Sequence, residues 1–103
     1  MIPDEWDDGR LKKEILQHIK NETFVITRHA ATEQKNDAID VQDILHVLKT
    51  GKHERKYTEF DNKYQRWKYR ITGETEEFKT VSVVISFLEK MVIVTVFKIS
   101  KYK

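Results

Sequence analysis

Between Arg55 and Arg70 the sequence runs RKYTEFDNKYQRWKYR, with cationic and aromatic side chains interleaved. Alternating Arg and Lys can follow a line of phosphates, and Tyr57, Tyr64, Trp67 or Tyr69 can stack a nucleobase where the ring faces solvent. On RNA such a surface allows a metal-free chemistry, in which a 2′-hydroxyl attacks the neighbouring phosphate. That step needs a base, an acid for the leaving oxygen and fixed cations for the added negative charge of the transition state. Arg66 and Arg70 suit the cationic role, because a guanidinium stays charged and can bind phosphate through two parallel hydrogen bonds. Four residues apart on one strand face, they have Cα atoms about 13 Å apart, so both meet one phosphate only if their side chains converge or the strand bends. The remaining candidate nucleic-acid contacts are Lys52, Arg55, Lys56, Lys63, Tyr64 and Lys68. Candidate proton carriers are His29, His53, Lys52 and Tyr102. The same residues also have a plainer account. Charge keeps an exposed strand pair soluble, and Trp67 and Tyr69 share a face with Ile71 and belong to a core.

Composition narrows the alternatives. The 103 residues fit one domain, 1–103, long enough for a core of its own. With no cysteine the chain has no disulfide, no thiolate nucleophile and no cysteine-ligated zinc. The histidines at 18, 29, 46 and 53 have no spacing that forces a metal site, and no glycine-rich phosphate loop, nucleophile elbow or His-Glu-x-x-His helix occurs. No metal and no cofactor is expected. The opening MIPDEWDDGR carries four carboxylates and lacks the apolar run of a signal peptide. The longest largely apolar stretch, Met91 to Phe97, falls far short of the roughly 20 residues of a membrane span, so a cytoplasmic protein without a membrane partner is expected. The net charge is only +2, yet between Lys49 and Arg70 eight cationic side chains face three carboxylates. Such clustering suits a phosphate-binding surface, which the acidic lead could itself cover.

The elements that must position these residues follow from periodicity. Asp8 or Gly9 is expected to cap a helix over about Arg10–Lys20, with Leu11, Ile15, Leu16 and Ile19 as its apolar stripe. Thr23–Thr27 is a short edge strand and Arg28–Lys35 a short helix favoured by propensity. Asp40 caps a third helix, Val41–Thr50, whose stripe is Val41, Ile44, Leu45 and Leu48, with Gly51 as a left-handed terminator and His46 exposed. From Lys52 the period becomes two. A strand to Glu59 and a turn at Asp61 and Asn62 lead to a second strand, Gln65–Thr72, with Trp67, Tyr69 and Ile71 on one face and Arg66, Lys68, Arg70 and Thr72 on the other. Val81–Ile99 is the densest β-prone stretch and makes a hairpin. In its second strand Met91, Ile93, Phe97 and Ile99 share a face interrupted by Thr95, and Val92, Val94 and Val96 fill the other, which marks it as the central strand. The fold expected is α+β, with N-terminal helices packed on one face of an antiparallel four- to five-stranded sheet. Residues 1–22 are an acidic lead and extra helix, and 23–100 the core.

Thr27, Arg28, His29 and Ala30, then Ala38 to Leu45 (AIDVQDIL), Leu48 and Gly51, and the ending Val94-Thr95-Val96-Phe97 resemble a family of small bacterial proteins of unassigned function. That family is grouped with the RelE and ParE superfamily and is similar to BrnT-type toxins. The resemblance spans about residues 24 to 99. It implies helices on an antiparallel sheet, an endoribonuclease toxin of a toxin-antitoxin module, and an antitoxin protein that silences it by wrapping its sheet or basic cleft. By position it gives His29 as the family's histidine, Asp43 as its helix aspartate and Phe97 as its terminal aromatic. The chain departs from the pattern at Glu33 and Asp37, where arginines are usual, and at Phe97, where a tyrosine would supply a hydroxyl. A non-catalytic binding module of the same fold is the alternative reading.

Overall fold

A computed structural model describes residues 2–99, so Tyr102 lies outside the described residues. Three short polar residues start the three helices. Asp7 caps α1 (Asp8–Lys20), one residue ahead of the expected cap, with its carboxylate accepting the Arg10 N–H at 2.8 Å. Thr27 caps α2 (Arg28–Asp37) by accepting the Ala30 N–H. Asp40 and Asp43 cap α3 (Val41–Thr50) reciprocally, each carboxylate accepting the other's backbone N–H at 2.8 and 3.1 Å. Asp43, one of the positions the resemblance singles out, is thereby occupied in holding a helix end.

The sheet has six strands: β1 (Phe24–Ile26), β2 (Lys52–His53), β3 (Glu59–Asp61), β4 (Arg66–Glu74), β5 (Thr80–Phe87) and β6 (Met91–Lys98). Their order is β1-β6-β5-β4-β2, with β3 on the same edge of β4 as an addition to β2. The expected α+β architecture and the antiparallel β4-β5-β6 meander are present. Several details differ. The short first strand runs parallel to β6, where an all-antiparallel sheet was expected. The chain from Lys52 to Glu59 is not one strand, because a 3-10 turn at Arg55–Tyr57 separates β2 from β3. Nor is β6 the centre. It has only three-residue β1 on its outer side, whereas β5 lies between two long strands and buries Val81, Ser82, Val83, Ile85 and Ser86.

A bulge in β6 corrects the predicted face of its second half. Val84 pairs with Thr95 but Ile85 pairs with Ile93, leaving Val94 as an extra residue. The alternation therefore slips by one. Met91 and Ile93 face the helices as expected, but beyond the bulge Val96 takes the buried position. Phe97 moves to the opposite face with Thr95.

On the helix face, Leu11 and Ile15 of α1 and Ile44, Val47 and Leu48 of α3 form one core with Tyr69, Ile71, Val83, Ile85, Met91 and Ile93. Full burial of each aliphatic side chain stabilises by about 1.5–3 kcal/mol. Val47 replaces Val41 in the α3 stripe, Val41 being exposed, and His46 is half-buried rather than exposed. Gly51 does not end α3 in the left-handed region, since its φ and ψ are −78° and −178°. Its role is close approach: a Cβ there would lie 2.6 Å from the Val47 carbonyl oxygen and 2.7 Å from that of Thr72. Gly73 faces it, with a Cβ there placed 2.8 Å from the Gly51 Cα. Two bare backbones thus let the end of α3 rest on β4.

The acidic lead folds back onto this side of the molecule. The Trp6 ring packs against Phe87 at 4.7 Å and Tyr69 at 6.1 Å, and the Trp6 N–H donates to the Tyr69 hydroxyl. Trp67 donates its indole N–H to the Pro3 carbonyl at 2.7 Å. Burial pushes the Tyr69 phenol above its ordinary value of 10.0, the Trp6 hydrogen bond opposing the shift. Among the described residues no helix is long and apolar enough to cross a membrane.

Candidate nucleic-acid interface

Among the described residues, no helix lies across the other face of the sheet. Strand alternation sends Arg66, Lys68 and Arg70 of β4 to this open face, with Val84 and Ser86 of β5 beside them. The bulge adds Thr95 and Phe97, and Val92 and Val94 line the floor nearer β1. α2 flanks β6 where β1 stops. There Glu33 accepts the Val96 N–H at 2.9 Å and Asp37 accepts the Lys98 N–H at 3.2 Å. These two carboxylates, one helical turn apart, satisfy strand-edge donors that would otherwise be open to another strand. The departures at Glu33 and Asp37 therefore have a structural task in this chain.

Two adjoining clefts cross the open face. The first, about 380 Å³, is lined by His29 from the start of α2, Tyr64 from the β3–β4 turn, Arg66 and Lys68, over Val92 and Val94. The second, about 320 Å³, is lined by Lys56, Tyr57, Lys68, Arg70, Val84 and Phe97. Lys68 borders both, and its ammonium lies 3.1 Å from Glu59.

Arg70 is held between aromatic rings, its guanidinium carbon 3.9 Å from the Tyr57 ring centre and 5.0 Å from that of Phe97. The interruption between β2 and β3 makes this possible. Turn hydrogen bonds from the Tyr57 and Thr58 N–H groups to the Glu54 and Arg55 carbonyls lift Tyr57 over the sheet, and the bulge supplies Phe97 from the other side. Nε of Arg70 is buried without a hydrogen-bond partner.

His29 is exposed, with Nε2 3.4 Å from Glu33 Oε1, the same oxygen that accepts the Val96 N–H. The structure thus brings His29, Tyr64, Arg66, Lys68, Lys56 and Arg70 to one face, and Lys63 stands beside Tyr64, its ammonium 5.3 Å from the ring centre.

It does not bring His53 there. His53 pairs with Ile71 across β2 and β4 and packs on the Tyr69 ring on the helix face. Its Nδ1 donates to Asp8 at 2.7 Å, and Nε2 lies 2.8 Å from the Thr58 hydroxyl. Lys52 lines a helix-side cavity with Asp8, Leu11 and His53, and Arg55 turns to Asp8 and Glu5 at 3.0 and 3.5 Å. The hydrogen bond from His53 holds the Asp8 carboxyl below its ordinary 3.8, partial desolvation opposing it and the Arg55 charge adding to it. The acidic lead therefore neutralises Arg55, and of the Arg66–Arg70 row it shares a cleft with Arg66, beside Pro3 and Asp4. His53 fails as a partner of Arg66 and Arg70 because alternation in β2 points it inward.

Sequence reasoning misses Tyr57 and Phe97 as the rings that hold Arg70. A cation–π partner has no sequence signal of its own here, since both placements depend on irregularities, a 3-10 turn and a bulge. Among the described residues, no three His, Asp or Glu side chains are grouped so as to hold a metal ion.

The profile of a domain family of unknown function, DUF4258, matches residues 26–98, which include both clefts' floor and α2 but exclude α1 and the acidic lead. No curated protein and no solved structure matches the chain.

Proposed function

The chain belongs to the DUF4258 family, and we propose that it is an RNA-acting protein of the RelE and BrnT toxin kind, a metal-independent endoribonuclease working on the open face of its sheet. The observation that carries this reading is the meeting of His29 and Arg66 in one cleft that Lys68 continues to Arg70. His29 takes the 2′-hydroxyl proton as that oxygen bonds to phosphorus. The bond to the 5′-oxygen breaks, this oxygen takes a proton from water, and a 2′,3′-cyclic phosphate remains. Arg66, Lys68 and Arg70 stabilise the charge on the phosphoryl oxygens. The resemblance of the Thr27–Ala30 and Ala38–Leu45 segments to a small bacterial family grouped with those toxins supports the same reading, and an antitoxin would silence the protein by covering this face.

The test is growth and bulk RNA integrity in a bacterial host on induced expression, wild type beside the Arg66→Ala, Arg70→Ala double variant, with product ends analysed on purified protein in chelator. Growth arrest, RNA loss and cyclic-phosphate ends with wild type alone are expected. Cleavage unchanged in the double variant would remove the site from this face.

The placement of His53 on the opposite face favours a second reading. It leaves His29 as the imidazole of the clefts among the described residues, which suits a module that binds RNA without cutting it. That reading expects salt-sensitive binding and intact RNA at every protein concentration.

A further inference from the structure

The larger cleft has a feature that a phosphate track does not require. Its walls carry Arg66 and Lys68 beside the single carboxylate of Asp61, yet its floor is Val92 and Val94, and its lip is Tyr64, an aromatic residue 56% exposed. Such a mixture of apolar floor, aromatic lip and charged rim is poorly suited to an aliphatic side chain, which would take water from the Arg66 guanidinium and offer it no hydrogen bond in return. It suits a nucleobase, whose faces are apolar and polarisable and whose backbone carries the negative charge.

The cleft is also built in advance. Asp61 fixes the β3–β4 turn, its Oδ1 accepting the N–H groups of Lys63 at 2.9 Å and Tyr64 at 3.2 Å. Gln65 closes the turn in the left-handed region, φ 56°, and donates its N–H to the Asp61 carbonyl at 2.7 Å. On the opposite wall Thr27 is tied down, accepting the Ala30 N–H and donating its hydroxyl to the Val94 carbonyl. Neither wall has to be ordered by the ligand, which lowers the cost of binding.

We propose that the cleft between His29 and Tyr64 is a base-binding subsite, taking one unstacked nucleobase of single-stranded RNA while Arg66, Lys68 and Arg70 hold the adjoining backbone. This rests on the RNA reading above and adds to it the substrate class, single-stranded RNA with an extrudable base. Tyr64 is a specificity-determining contact through its ring, and Ser86, on the same lining, offers a hydroxyl to the base edge.

The test measures affinity at low salt for two short 2′-O-methylated oligoribonucleotides, which 2′-hydroxyl attack cannot cleave: one with bases and one with the same backbone and no bases. Stacking of one base changes affinity by about 5- to 150-fold, so wild type should prefer the base-bearing oligomer by about tenfold or more. Tyr64→Ala should lose most of that preference while keeping the abasic affinity, and Tyr64→Phe should retain the preference. Arg70→Ala should weaken both oligomers alike. Equal affinity of the wild type for the two oligomers would overturn the subsite and leave the RNA reading standing. Full preference retained in Tyr64→Ala would overturn the subsite equally. Absence of binding to either oligomer would overturn the RNA reading itself, and the subsite with it.

Discussion

Strand β4 presents two different surfaces from one run of alternating residues. Tyr69 and Ile71 point to the helices and are each 3% exposed, whereas Arg66, Lys68 and Arg70 point the other way and stay half-buried. The first set is held by packing against α1, α3 and β5. The second is held by aromatic rings and a carboxylate, with clefts of several hundred cubic ångströms left between the side chains. Stability and chemistry are thereby separated across the thickness of one sheet, so a substitution's effect should be set by which face it touches.

The sharpest break of that comparison uses β5. Ile85 is fully buried in the core, and Ile85→Ala should cost about 2–5 kcal/mol of folding stability from lost burial and the cavity left behind. Urea unfolding checks this, with an unchanged slope and a lowered midpoint expected. A cost under about 1 kcal/mol would mean that the helix face is not where the fold is held.

A smaller effect is expected from Arg70→Ala on the open face. Two cation–π contacts of about 0.5–1 kcal/mol each are lost, but the buried Nε that has no partner is lost with them, which offsets part of the cost. Stability should fall by about 1 kcal/mol or less, while salt-sensitive RNA binding falls severalfold. A stability loss as large as that of Ile85→Ala would show that the open face belongs to the core and blur the distinction.

How far this division is legible in the sequence varies by element. The alternation of β4 gives both of its faces correctly, because period-two patterning survives wherever a strand is regular. The capping residue Asp40 likewise sits where a short polar side chain precedes apolar periodicity. Two misses in the sheet share one cause, an irregularity that changes phase. Nothing in Val92–Val96 marks Val94 as the bulged residue, since every neighbour is β-prone, and so alternation puts Phe97 on the wrong face. The 3-10 turn at Arg55–Tyr57 has an alternating pattern that reads as strand, but the Thr58 hydroxyl beside His53 and the turn hydrogen bonds favour a different backbone. His53 lies outside this error, for it sits in the regular pairing of β2 with β4 and alternation turns it to the helix face beside Ile71. Trp6 carries a signal of its own, for a lone indole among carboxylates needs an apolar partner, and Tyr69 and Phe87 supply it. Gly51 reads as a helix terminator, while its closeness to Gly73 is a tertiary fact no local rule predicts.

The two faces are nonetheless connected through one chain of polar contacts, and the weakest predicted effect probes it. Asp8, the first residue of α1, accepts from His53; His53 meets Thr58; and Thr58 closes the turn that carries Tyr57 onto Arg70. Because its folded pKa is depressed below 3.8, Asp8 contributes stability that is present above that pH and lost as pH falls through the depressed value. Its side chain is 64% exposed, so solvent and salt screen the interaction and the contribution to global stability is small. Asp8→Asn should therefore barely move the unfolding midpoint at neutral pH, and the difference from wild type should vanish in acid. The local effect is the informative one. Hydrogen exchange at the Thr58 N–H, which donates to the Arg55 carbonyl at 3.0 Å, should quicken in Asp8→Asn. Thr58→Val, which opens the same turn without touching α1, should loosen the turn as well, and RNA affinity should weaken in both variants by less than in Arg70→Ala. Unchanged exchange and affinity in both would show that Tyr57 holds Arg70 without support from the helix face, and the two faces would then be independent.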